Sequence, residues 1–379
     1  MANIILTAEN FAFGPIGKLL DVAKLLKDRN HKLTFAGYGT SYQLAKNFPF
    51  DTLLEIDTDN PKNKKSLQKI ISKGDILVSS MDIPSIEAAK NVGIPTVWLD
   101  SLFWFWTSIP KILFNVNVYI KERSLDDTIN ERKYGHKIKN LYTVGPILPK
   151  IEKAKKIKQA IISFGGGEAF YWYKEGVNTN FPTMMTKILL DYVDWSEFDK
   201  VILATNERIL SNLSQKFPNS PFKFTTCGSH RKFLKELARS EVALITPGLI
   251  TSQSAFNFET PSIFLPPSNN SQYLQIDEFR KLGLAIASVH LDNFLPRLEL
   301  RGKDPHKTIK EVLNQLRQID KSTEQKQNIG KAIQELVSTR HQWSRKSTNV
   351  GREFLDSLGG NGIEDVVDKI EEIILTSKK

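Results

Sequence analysis

Residues Glu241 to Gly283 read EVALITPGLITSQSAFNFETPSIFLPPSNNSQYLQIDEFRKLG, and this stretch decides the fold. The apolar run Val242 to Ile245 predicts a strand ending at Thr246-Pro247-Gly248. A helix is expected from about Thr251 to Phe258, followed by Pro261 and a second strand, Ile263 to Leu265. Pro266 and Pro267 stop that strand, and the polar loop Ser268 to Gln272 opens another helix. Strand, turn, helix, strand, loop, helix with few spare residues is the writing of a βαβ unit. Gly248 stands at a helix N-terminus, where unpaired backbone N–H groups favour an anion. Asn269, Asn270, Ser271 and Gln272 stand at the carboxyl end of the next strand, where open α/β sheets bind ligands. An ordinary βαβ unit whose glycine only closes a turn gives the same local pattern.

The same rhythm extends in both directions. Asn3 to Thr7 is a β-branched run, and Gly14 to Asn30 carries Leu19, Leu20, Val22, Ala23, Leu25 and Leu26 at helical spacing. Lys32 to Ala36 is the next strand, Asp75 to Ser79 another, and Gly93-Ile94-Pro95 leads into Thr96 to Asp100. Tyr142 to Pro149, with Gly145-Pro146, closes the first half, and a basic segment from Lys150 to Lys158 follows. Gln159 to Phe164 restarts the strands and ends in Gly165-Gly166-Gly167, a run that lets backbone amides approach an anion without side-chain obstruction. Lys200 to Thr205 and Phe222 to Thr226 are further strands, the latter ending at Cys227-Gly228-Ser229-His230. From about Lys307 three helices are expected: Lys307 to Gln318, Lys326 to Gln342 and Gly362 to Thr376.

These segments, in this order, resemble the GT-B glycosyltransferases, especially the lipid II N-acetylglucosaminyltransferase and the macrolide and nucleoside-antibiotic branches. GPIGKLLDVAKLLKDRNHKLTFAG resembles the family's opening βαβ, VGPILP its interdomain linker and SFGGG its turn under the donor pyrophosphate. Gly248, Thr251, Pro261, Pro266 and Gln272 match its donor-site signature. The resemblance implies two Rossmann-like domains facing each other across a cleft. Residues 1–145 would take the acceptor, 146–158 would link, 159–358 would hold the nucleotide-sugar, and 359–379 would pack back on the first domain. It implies donor contacts at Gly165, Gly166, Gly167, Ser229, His230, Gly248, Leu249, Thr251, Asn270 and Gln272. Acceptor contacts are expected at Gly14 and at Trp104 and Trp106 of the aromatic run SLFWFW, which serves a hydrophobic core equally well.

Three departures bear on chemistry. Pro15 falls where many members carry the histidine that deprotonates the acceptor, Lys18 where they carry a proline, and Ser254 where a glutamate grips the ribose. Proline takes no proton, so the base must be sought among acids at strand ends: Glu9, Asp82 and Asp100, with Glu9 preferred as nearest the acceptor site.

Composition bounds the rest. A chain of 379 residues with 40% hydrophobic and 25% charged content suits two medium domains. Cys227 is the sole cysteine, which excludes internal disulfides and argues against a cysteine metal site, and no compact His/Asp ligand cluster is visible. The start MANIILTAEN reads as a strand and not a signal peptide, and no apolar run reaches the roughly 18 residues of a membrane span, so a cytoplasmic protein is expected. The net charge of +10 lies in lysine runs without interleaved aromatics, so nucleic-acid binding is expected to be weak and non-specific. The expected activity is metal-independent sugar transfer from a UDP-sugar, without a cofactor, to a small-molecule acceptor. Transfer to a nucleobase, nucleoside or nucleic acid, or an inactive ligand-binding protein, remain alternatives.

Overall fold

The computed structural model describes residues 1–377 except 151, 153 and 166–179. It divides into an N-terminal unit, Met1–Lys150 with Ser357–Lys379, and a C-terminal unit, Ile151–Asp356.

The N-terminal unit is built on seven parallel strands: β1 (Asn3–Ala8), β2 (Lys32–Gly37), β3 (Thr52–Glu55), β4 (Ile76–Ser80), β5 (Thr96–Asp100), β6 (Val118–Glu122) and β7 (Leu141–Val144). Their order is β3-β2-β1-β4-β5-β6-β7. Parallel neighbours need crossovers, which α1 (Gly14–Asp28), α2 (Gly39–Ala45), α3 (Lys64–Ile71) and α4 (Ile83–Val92) supply. Both faces of the sheet are covered, which is why β1 reads as one apolar run. Ile4, Leu6 and Ala8 turn to a core shared with α1, whereas Ile5 turns to one shared with Leu77, Trp98 and Tyr119. The Gly93 signal is explained by its φ of +76°, the left-handed cap that ends α4. Buried against β6, the Lys18 ammonium of α1 pairs with the Glu122 carboxylate, which also accepts the Ile147 N–H at 3.2 Å.

The C-terminal unit repeats the plan with six parallel strands: β8 (Ile157–Ser163), β9 (Lys200–Ala204), β10 (Lys223–Thr225), β11 (Ser240–Ile245), β12 (Ser262–Phe264) and β13 (Ala287–Ser288). They run β10-β9-β8-β11-β12-β13. The helices are α5 (Phe181–Tyr192), α6 (Glu207–Lys216), α7 (His230–Arg239), α8 (Leu249–Asn257), α9 (Asn270–Lys281), α10 (Pro305–Lys321), α11 (Thr323–Ser338) and α12 (Arg340–Ser357). The helix expected over Lys326 to Gln342 is two helices. The Thr339 hydroxyl turns back onto the Glu335 carbonyl at the end of α11, and α12 restarts at Arg340. Lys156 clips the entry to this unit. Its ammonium reaches the carbonyls of Ala238 (2.7 Å) and Phe258 (3.2 Å), at the C-terminal ends of α7 and α8, and the Thr260 hydroxyl.

The last helix, α13 (Ile363–Ser377), returns to the N-terminal unit. Val366, Val367, Ile370 and Ile374 join the α1 side of that core. Arg29 clasps Glu364, Asp368 and Glu371 of α13 at 2.5–2.7 Å. Gly145 and Gly362 make room for this return: a Cβ on Gly145 would lie 2.2 Å from the Gly360 carbonyl oxygen, and one on Gly362 would lie 2.4 Å from that of Gly145.

Candidate functional site

Both sheets reverse strand order once, between β1 and β4 and between β8 and β11, and crevices form at such points beyond the strands' carboxyl ends. In the C-terminal unit β8 runs out at Ser163 and Gly165, and β11 at Thr246. Gly165 takes φ +64°, a left-handed turn that explains the first glycine of the triplet. Gly166 and Gly167 lie outside the described residues.

Gly248 is the N-cap of α8 with no side-chain cap, so the first turn of this helix keeps its N–H groups for another partner. Its φ of −103° needs no glycine, and an added Cβ would come no closer than 3.9 Å to any atom outside its immediate neighbours. Leu249 anchors the helix start by burial. The Thr251 hydroxyl, half-buried one turn in, makes no hydrogen bond among the described residues. Ser254 is buried inside the helix packing, not presented at its mouth.

The polar loop is wired internally. Asn269 caps α9, accepting the Gln272 N–H at 2.9 Å and the Ser271 hydroxyl at 2.8 Å. Gln272 accepts the Ser268 N–H at 2.8 Å and hydroxyl at 2.9 Å, and its amide N–H donates to Thr246 Oγ1 at 3.3 Å. Gln272 thus bridges the two loops predicted to share one site. Asn270 turns the other way, giving its amide to the Pro305 carbonyl and the Thr308 hydroxyl, where it holds α10. At the next pair of strands, Cys227 and Gly228 both take positive φ, +57° and +69°. Ser229 then caps α7 through the Lys232 N–H at 3.2 Å, and His230, half-buried, opens that helix.

In the N-terminal unit Glu9 follows β1, and its N–H donates to the Ser80 carbonyl at 3.0 Å, which fixes it beside the end of β4. Its half-buried carboxyl has no hydrogen-bonding or ionic partner among the described residues. Burial, reinforced by the charges of Asp82, Asp59 and Asp100, pushes its pKa up to about 8. Asp82 follows Met81, whose φ of +63° is a strained conformation for a side-chain-bearing residue. It accepts the Ser85 hydroxyl at 2.6 Å, and burial raises its pKa to about 6. Burial also raises Asp100 to about 6, but its carboxylate is fully engaged. It accepts the Leu102 N–H at 2.7 Å, the Trp106 indole N–H at 2.8 Å and the Tyr119 hydroxyl. Trp106 therefore serves as a strut for Asp100, and Trp104 is buried against Phe105. Gly14 is the first residue of α1, and the Pro15 carbonyl accepts the Ser80 hydroxyl at 3.0 Å.

One cluster is not visible in the sequence. Asp277, His290 and Asp292, far apart in sequence reasoning, present ligand-type atoms within 4.8 Å of one another. Arg280 pairs with Asp292 at 3.0 Å and Arg297 with Asp277 at 3.2 Å, so guanidinium groups already neutralise both carboxylates.

No protein-family model matches the chain, and no curated protein matches it. Solved structures do. UGT89C1 of Arabidopsis thaliana, complexed with UDP-L-rhamnose, is similar over 99% of this chain and 100% of its own, at 10% identity and a TM-score of 0.52. The glycotransferase of kitacinnamycin is similar over 98% and 99% respectively, at 12% identity and a TM-score of 0.51. The chain has a GT-B fold.

Within this GT-B fold the sequence reading missed two residues. Thr246 is buried and receives the Gln272 amide; its hydroxyl is the signal that was passed over before Pro247-Gly248. Asp59, in the loop after β3, acts on Glu9 across the fold, and no motif announces it.

Proposed function

We propose that this protein transfers a sugar from a nucleotide-sugar, UDP-linked by preference, to an acceptor bound by the N-terminal unit. The observation that carries the donor side is the uncapped N-terminus of α8 at Gly248, beside a Thr246–Gln272 bridge and the left-handed Gly165 turn. Helix N–H groups there would take the pyrophosphate and stabilise the charge that grows on the departing nucleotide. Thr251 supplies a spare hydroxyl, and the Cys227–His230 turn would hold the base. Gln272, already oriented by Ser268, would donate to the sugar or phosphate with the same amide that now rests on Thr246.

Glu9 serves as the base. Its carboxylate removes the proton from the acceptor's attacking group, the acceptor forms its bond to the anomeric carbon, and the bond from that carbon to the β-phosphate oxygen breaks. A pKa near 8 suits a base working close to neutral pH, and the absence of any partner among the described residues supports this role. Asp82 and Asp100 act through Glu9 by their charge.

The test is a thermal-shift screen of nucleotides and nucleotide-sugars with mass spectrometry for donor hydrolysis. UDP and a UDP-sugar are expected to raise the melting temperature, since a ligand bound only to the folded state stabilises it. A shift with another nucleotide alone overturns the UDP assignment. No shift with any nucleotide overturns the transferase reading.

A further inference from the structure

Several acidic groups of the N-terminal unit are neutralised by a cation. Glu122 has Lys18, Asp127 and Glu131 share Lys121, and Glu364, Asp368 and Glu371 share Arg29. The carboxyl rim of the sheet departs from this. Glu9 after β1, Asp59 after β3, Asp82 after β4 and Asp100 ending β5 gather there, close enough that the other three act on Glu9. Among the described residues none of them forms an ion pair with lysine or arginine. Asp59 accepts the Tyr38 hydroxyl at 2.6 Å, Asp82 that of Ser85, and Asp100 an amide, an indole and a phenol. In a chain of net charge +10, an acidic rim without counter-cations stands out.

A second observation comes from below the rim. Thr7 pairs in register with Ser79 on β4 and projects from β1 on the same side as Ile5 and Glu9, by the alternation of a strand. It is fully buried, and its hydroxyl has no hydrogen-bond partner among the described residues. A buried hydroxyl left unpaired costs free energy until a donor or acceptor arrives. The floor under Glu9 is therefore as unsatisfied as the rim is uncompensated.

We propose that the acceptor is a cation, carrying an amine that docks as ammonium against Glu9, Asp59 and Asp82. This inference rests on the reading of the rim as the acceptor site. An ammonium supplies three donors and one positive charge, which matches what the rim lacks. Its arrival favours the ionised form of Glu9 and drives off the proton that burial holds there, leaving Glu9 ready as the base. The neutral, N-acylated form of the same acceptor brings no charge and leaves that proton in place.

Tyramine and N-acetyltyramine are suitable probes, because tyramine's amine stays charged at pH 7 and all proton exchange then belongs to the protein. Binding to the full chain is measured without donor, by isothermal titration calorimetry at pH 7 in buffers of different ionisation enthalpy. Tyramine is expected to bind roughly tenfold or more tightly than N-acetyltyramine, as one charge contact at a partly desolvated rim allows. It is also expected to release close to one proton per molecule bound, a release that Glu9→Gln abolishes. Asp59→Asn, at an exposed position, is expected to weaken tyramine several-fold and spare N-acetyltyramine. Equal affinity for the two compounds, no tyramine binding, or release of a proton that survives Glu9→Gln each overturn the inference. Displacement of tyramine by millimolar magnesium or manganese overturns it too, by assigning the rim to a divalent ion. Sugar transfer to N-acetyltyramine as readily as to tyramine overturns the inference and leaves the transferase reading standing. Charge-selective binding with no turnover of any nucleotide-sugar does the reverse.

Discussion

The pH dependence of turnover is the sharpest consequence of the site. Glu9 normally ionises near 4.5, and burial with three neighbouring carboxyl groups raises it to about 8. If the ionised form is the base, the active fraction of the free protein at pH 6 is about 1% and at pH 9 about 90%, so kcat/KM for the acceptor rises roughly a hundredfold between them. An unperturbed carboxylate would give a flat profile over that range. Glu9→Gln is expected to lower the plateau by roughly 10²–10⁴ and flatten the dependence. Asp82→Asn removes the largest charge effect on Glu9 while leaving the burial, so its profile is expected to move to lower pH with the plateau nearly kept. Stability supplies a check that needs no substrate. A carboxyl whose folded pKa lies above its unfolded value binds more protons in the native state between those values. The fold therefore loses stability as pH rises from about 4.5 to about 8, and Glu9→Gln should remove that loss and melt higher than wild type at pH 8. The assay is initial rate against pH at saturating donor and at acceptor well below saturation, where the rate reports the free site, with melting curves over the same range. A wild-type profile with no inflection above pH 6 would refute the reasoning.

Gly248→Ala is tolerated by the fold, which has open space at that Cβ, so it should leave the melting temperature alone; Gly248→Trp should also abolish nucleotide-induced shifts. Gly165→Ala is different, because φ +64° strains any side chain, and a modest loss of stability of about 1 kcal/mol is expected by denaturant titration. Lys18→Met strands the buried Glu122 carboxylate and should cost roughly 3–5 kcal/mol, much of it recovered in Lys18→Met/Glu122→Leu. Arg29→Ala should loosen α13, seen as faster hydrogen exchange over residues 363–377, and should lose less stability with added salt than wild type does.

Much of this was legible because both sheets are parallel and buried. Apolar runs such as Ile4–Leu6 and Val242–Ile245, punctuated by Gly93-Ile94-Pro95 and Pro266-Pro267, mark strands and crossovers without ambiguity. The resemblance to GT-B glycosyltransferases, carried by the motifs in this order, implied the fold that the structure has. What stayed hidden is set by tertiary geometry. β3, with its part-exposed TLLE, and the two-residue β13 carry too little pattern to read. Asn270 looked like a ligand contact, yet the packing of α10 consumes its amide. Trp106 looked like a stacking platform, yet its indole N–H is committed to Asp100. The Asp277–His290–Asp292 cluster joins a helix to a loop after a strand too short to be read. The sequence points to Glu9 by its place alone, and that no described residue pairs with its carboxyl is a property only coordinates supply.

The return of α13 sets when the N-terminal core can close during synthesis. Its N-terminal core is closed by Val366, Val367 and Ile370, and the Gly145–Gly362 contact threads the link between units against the chain's own later segment. On the ribosome the first 150 residues emerge with an apolar groove on α1 that nothing yet fills. The entire C-terminal unit must be synthesised before the filling segment leaves the exit tunnel. During that interval the nascent chain presents the surface that chaperones recognise, and the C-terminal unit has the opportunity to fold first. A chain lacking the segment from Ile363 onward would carry the open groove permanently.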